Sequence, residues 1–140
     1  GTSPDEMRER LRGIGDWLRM NGEAIYHTRP WVIAGEGPTR EVGGSFSEKK
    51  NKVYYTDRDI RFTTAENVIY AIVMDWPVDL EVNIKSLGSD SQIFMNKIEH
   101  ISLLGSTEKL EWLQNQDGLN ISLPQQKPGE HAYSIKIQYK

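Results

Sequence analysis

Residues 60–85 read IRFTTAENVIYAIVMDWPVDLEVNIK, and the spacing of their apolar side chains decides the fold. Ile60, Phe62 and Thr64 alternate with Arg61 and Thr63, and Leu80, Val82 and Ile84 alternate with Glu81, Asn83 and Lys85. Successive side chains of a strand point to opposite faces, so each run predicts a strand with one dry face and one wet. Between them, Val68 to Met74 is apolar on both faces and predicts a strand whose outer side is covered by another element. Ala65-Glu66-Asn67 and Asp75-Trp76-Pro77 supply the turns. The same period-two code returns at Leu119 to Leu123 and at Tyr133 to Tyr139, and less cleanly at Ile98 to Leu104 and Leu110 to Gln114. Short strands at this spacing, seven or eight of them, predict an antiparallel two-sheet β-sandwich of Greek-key type.

Upstream the period changes to that of a helix. Ser3-Pro4-Asp5-Glu6 is a helix start, with Ser3 and Glu6 in capping-box spacing and Pro4 at the first helical position. Met7, Leu11, Ile14 and Leu18 then form one stripe at helical spacing. Asn21-Gly22 predicts a left-handed stop near Met20. Gly13 and Gly15 inside the helix cost about 1 kcal/mol each relative to Ala, as is tolerated where another element packs very close. Pro30 pushes the preceding residue out of the helical region, so Ile25 to Ile33 reads as extended. Residues 34–52 are Gly-rich and charged and read as a long loop. The organisation expected is a helix and linker over residues 1–30 and a β-sandwich over residues 31–140.

Composition narrows the function classes. A chain of 140 residues makes one domain, or one domain with an appended element. A net charge of −3 gives no reason to expect nucleic acid or an anionic membrane as partner. No apolar run approaches the roughly 18 residues of a spanning helix, and no basic-then-apolar leader pattern is read at the start. The absence of cysteine excludes disulfides and thiolate chemistry and leaves the compartment open.

Gly15-Asp16-Trp17-Leu18, Asn21-Gly22-Glu23-Ala24-Ile25-Tyr26 and Thr28-Arg29-Pro30-Trp31 form a long ungapped pattern. It resembles the end of the catalytic barrel in the α-L-fucosidases (glycoside hydrolase family 29), where the last barrel helix leads through a turn into a C-terminal β-sandwich. His27 departs from that pattern, which has a small residue such as Gly there. Asp59-Ile60-Arg61-Phe62-Thr63-Thr64, Ile69-Tyr70-Ala71-Ile72 and Trp76-Pro77 are similar to the opening strand pair of that sandwich. Leu103-Leu104-Gly105-Ser106, Leu110-Glu111-Trp112, Asp117-Gly118-Leu119 and Leu123-Pro124 resemble its later hairpins. The resemblance implies a non-catalytic sandwich that buttresses the barrel of a retaining fucosidase. Trp17, Ile25, Tyr26, Pro30 and Trp31 would pack the joint. It further implies a secreted, periplasmic or lysosomal parent, with the barrel as partner and no cofactor.

Retaining hydrolysis needs two carboxyl groups about 5–5.5 Å apart. The family's pair sits on the barrel and has no counterpart here, so no catalytic residue is expected in the chain. Asp57 and Asp59 read as a solvated turn rather than calcium ligands, and His27, His100 and His131 lack zinc spacing, so no metal is expected. The rival class is a carbohydrate-binding module that stacks glycans on exposed aromatics, with Trp76 first and Tyr54 and Tyr55 second. Trp112 is in phase with Leu110 and is expected in the core. Asn120-Ile121-Ser122 is an N-glycosylation sequon, which has meaning only in a secreted eukaryotic protein. The helix is expected either to fray before Gly15 or to hide its stripe, by folding back over the two-sided strand or by pairing with a second copy of the chain.

Overall fold

The structure, a computed structural model, describes residues 4–38 and 56–140. Helix α1 spans Pro4–Asn21, with Asp5 and Glu6 in its first turn and Arg19 in its last, the arrangement that suits the helix dipole. Among the described residues eight strands follow: β1 Arg29–Glu36, β2 Ile60–Ala65, β3 Val68–Val73, β4 Glu81–Ile84, β5 Ile98–Leu103, β6 Glu111–Asn115, β7 Gly118–Ser122 and β8 Tyr133–Tyr139. They form two antiparallel sheets, a large one in the order β1-β2-β3-β8-β5 and a small one in the order β4-β7-β6. Ser3 of the capping box, Tyr54, Tyr55 and most of the expected loop lie outside the described residues.

The alternating residues do what their period requires. Phe62 from β2, Ile69, Ala71 and Val73 from β3, and Ile135 and Ile137 from β8 face Val82 and Ile84 from β4 and Leu119 and Ile121 from β7. These side chains make up the core between the sheets. The two sides of β3 part company: Tyr70 and Ile72 belong to a second cluster with Ala24, flanked by Trp17, Val68, Met74, Leu104 and Ala132. The molecule is therefore layered as joint, large sheet, core and small sheet.

Several sequence expectations need correction. Residues 25–27 turn rather than extend, with Ile25 in the helical region, and the strand runs over Arg29–Glu36, into the stretch expected as loop. Helix α1 does not end on a left-handed Gly22; a 3₁₀ turn over Gly22–Ala24 continues from it, and the left-handed residue is His27, at φ 60°. Gly22 instead lies close under the ring of Tyr26, where an added Cβ would stand 3.0 Å from it, a tight contact. Trp112 is not core: it sits opposite Ile121 but on the edge strand β6, with a neighbour on one side only, and is 38% exposed.

Candidate functional site: a joint on the outer face of the large sheet

The joint is built where the helix end and the 3₁₀ turn lie on β3 and β8. Thr63, Tyr70 and Lys136 are register neighbours across β2, β3 and β8, so their side chains form one polar row on the outer face. Each member of that row holds the turn. Thr63 Oγ1 donates to the Ala24 carbonyl at 2.6 Å, Tyr70 OH donates to Glu23 Oε2 at 2.6 Å, and Lys136 Nζ pairs with the same oxygen at 2.6 Å. Beside the row, Trp17 rests on the apolar cluster and its Nε1 donates to the Ala132 carbonyl at 2.9 Å. Met20 nestles against the turn at Gly105, where φ is 85° and an added Cβ would stand 2.6 Å from the Met20 side chain. Only glycine meets both conditions.

Electrostatics tighten the network. Hydrogen bonds from Lys136 and Tyr70, with the Lys136 charge in support, hold the Glu23 carboxyl below its usual range, although partial burial opposes this. Tyr70 moves the other way: burial, then its hydrogen bond to the Glu23 carboxylate and that carboxylate's charge, push its phenol up. The protonated phenol and the ionised carboxylate are therefore the stable pair near neutrality.

The stripe does not fold back over β3, which corrects that sequence expectation; only the C-terminal end of the helix is seated there. Leu11 is 64% and Ile14 58% exposed, and Met7, Ile25 and Tyr26 are also exposed. Ile14, Trp17, Leu18, Ile25 and Ala132 line an open groove of about 890 Å³. A Cβ added at Gly13 would meet nothing within 4 Å, so no described residue of this chain uses the close approach that glycine allows. The stripe is covered only at its C-terminal end, where Leu18 is half-buried.

The other sequence-singled residues scatter. Trp31 packs edge-on to Phe62 at a centroid distance of 5.1 Å and lies against the main core, while Pro30 is exposed on β1. Trp76 is half-buried and edge-on to Tyr133 at 4.8 Å, so it does not stand free as an exposed stacking platform would. Asp59 is buried, and its carboxylate accepts from the Thr56 amide and hydroxyl, closing a turn. Among the described residues no three His, Asp or Glu side chains are grouped to hold a metal.

Sequence reasoning missed Tyr70, Lys136 and the Ala132 carbonyl as parts of the joint. The available signal was a phenol on the outward side of an otherwise apolar strand; its register with Lys136 exists only in the sheet.

The fold defines the class as a two-sheet antiparallel β-sandwich that carries an N-terminal helix with a bare apolar face. The sequence model of the alpha-L-fucosidase C-terminal domain matches residues 48–138, and the chain belongs to that family. It is 33% identical over 135 residues to tissue alpha-L-fucosidase of Rattus norvegicus, covering 93% of this chain and 24% of the relative. It is 32% identical over 126 residues to plasma alpha-L-fucosidase of Homo sapiens, covering 89% of this chain and 22% of that protein. Among solved structures it is similar to the Thermotoga maritima alpha-fucosidase in complex with a mechanism-based inhibitor. The TM-score is 0.63 at 25% identity, over 99% of this chain and 27% of that one. The chain spans about a quarter of the length of the relatives it matches.

Proposed function

We propose that the chain is the non-catalytic C-terminal sandwich of a parent α-L-fucosidase and that α1 completes and grips the parent's catalytic barrel. Residues 1–30 serve as barrel-type helix and linker and residues 31–140 as the buttress, with Trp17, Ile25 and Tyr26 packing the boundary, while Trp31 packs on the core side. The observation that carries this reading is the contrast along α1. Its C-terminal end is tied by Trp17, whereas Leu11 and Ile14 stand in solvent. Burying such side chains is worth roughly 1.5–3 kcal/mol each, so a face of this kind is stabilised by a partner. The similarity to a plasma fucosidase supports a parent that travels the secretory route.

The mechanism follows from rigidity. The Glu23 network and Trp17 fix the exit direction of the helix, so the barrel receives a preoriented element rather than a loose one. The test pairs the parent with the chain alone. Leu11→Asp together with Ile14→Asp is expected to lower the parent's thermal inactivation temperature and leave the melting of the isolated chain unchanged. A parent indifferent to that change overturns the reading. So does release of nitrophenol from an α-L-fucoside by the chain alone, or NMR shifts clustered at Trp76 on titration with fucosylated glycans.

A further inference from the structure

The sequon Asn120-Ile121-Ser122 lies on β7, the middle strand of the small sheet. Leu119 and Ile121 are fully buried in the core, so Asn120 and Ser122 point to the opposite, outer face. Asn120 is in register with Asn83 on one side and Leu113 on the other. Asn83 Nδ2 donates to Asn120 Oδ1 at 2.7 Å, which orients the carboxamide. Asn120 Nδ2 has no hydrogen-bond partner among the described residues, and this is the atom that N-glycosylation modifies. Leu113 is 64% exposed, and Glu81 and Glu111 on the same face are exposed too. The face thus combines a free amide nitrogen, a carboxamide held in place and a bare leucine beside it.

From this placement we infer that Asn120 carries an N-linked glycan whose first sugar lies over Leu113. The inference rests on the secretory route proposed above and is independent of how α1 meets the barrel. The donor is a lipid-pyrophosphate-linked oligosaccharide. Asn120 Nδ2 attacks the anomeric carbon of its first sugar, forming the N–C bond. The bond from that carbon to the pyrophosphate oxygen breaks, the lipid pyrophosphate leaves with the electron pair, and the amide gives up one proton. Oδ1 takes no part, so the hydrogen bond from Asn83 survives modification. The apolar face of a sugar ring then covers the leucine that β7 and β6 leave bare.

The test directs the full chain into the endoplasmic reticulum of a eukaryotic cell behind a cleavable leader. The secreted product is then treated with peptide N-glycosidase. A heavier species that collapses on treatment, with Asp found at position 120 by peptide mass spectrometry, is the expected result. Asn120→Gln and Ser122→Ala should each abolish it, and Ser122→Thr should keep it. Thermal melting of Asn120→Gln shows that the loss is not a failure to fold. Hydrogen exchange of the glycosylated chain should show slowed exchange around Leu113, not seen in Asn120→Gln. A folded, secreted and unmodified wild-type chain overturns the proposal, as does a glycan found only on molecules that fail to fold. Exchange at Leu113 that ignores the glycan overturns its placement over the leucine.

Discussion

The two sheets of this sandwich have outer faces of opposite character. The large sheet's face carries Tyr70 and Ile72, buried beneath the helix end and the 3₁₀ turn. The small sheet's face carries Asn83, Asn120, Ser122 and Leu113, joined by modest polar contacts such as Ser122 Oγ donating to Glu81 Oε1 at 3.1 Å. Both faces are made by the same alternation, and both sit on the back of the same core. What separates them is the identity of a few outward residues on β3 and β8, which turn one face into a seat and leave the other to solvent. A strand apolar on both sides therefore announces a neighbour, and a strand polar on one side announces water or a modification.

The largest test removes the cover. Trp17→Ala loses both the ring's burial and its bond to the Ala132 carbonyl, and should destabilise the chain by about 2–3 kcal/mol, below a full core tryptophan because the ring is half-buried. A denaturant melt measures it, and a loss under about 0.5 kcal/mol would make the two faces equivalent after all. Tyr70→Phe comes next, at about 1 kcal/mol, because one hydrogen bond to a charged acceptor is lost from a partly open site.

The same pair predicts how stability varies with pH. Glu23 has a lowered carboxyl, so its contribution is present above the ordinary value of 4.5 and is lost as pH falls through the depressed one. Tyr70 has a raised phenol, so its contribution is present below the ordinary 10.0 and is lost as pH rises beyond it. Melting temperature against pH should flatten at its acid end in Glu23→Gln and at its alkaline end in Tyr70→Phe. Tyr133, also raised mainly by burial, would keep some alkaline slope in both. The smallest effect belongs to the open face: Leu113→Ser should stay within about 0.5 kcal/mol of the unmodified chain. A larger loss would show that this leucine packs after all.

The strands at 60–65, 81–84, 118–122 and 133–139 were legible because each has one polar face, so alternation marks it directly. The covering of Val68 to Met74 was legible for the complementary reason. Trp112 misled because phase tells which way a side chain points, while burial depends on what stands there, and β6 is an edge. The polar row was hidden for a different reason. Glu23 meets Tyr70 across 47 positions of sequence, and no local pattern encodes a pairing that only the sheet register creates. At His27 the departure from the family's small residue marked a real demand of the backbone, since the position is left-handed and His meets it at a cost that Gly would not incur.

The order of the large sheet, with β8 between β3 and β5, bears on how the chain acquires its shape in time. The last described strand to leave the ribosome is the one that unites the large sheet: Ile137 pairs with Ile69 on one side and with Ile101 on the other. Until β8 is available, β1, β2 and β3 can form a meander, but β5 has no neighbour in its sheet and the seat for the 3₁₀ turn lacks Lys136. Pairings this distant in sequence close slowly, on the order of milliseconds to seconds. During synthesis β3 thus waits with an unpaired backbone edge and apolar side chains on both faces, the combination that invites misassociation. The growing chain has most need of a chaperone in the interval between the emergence of β3 and that of β8.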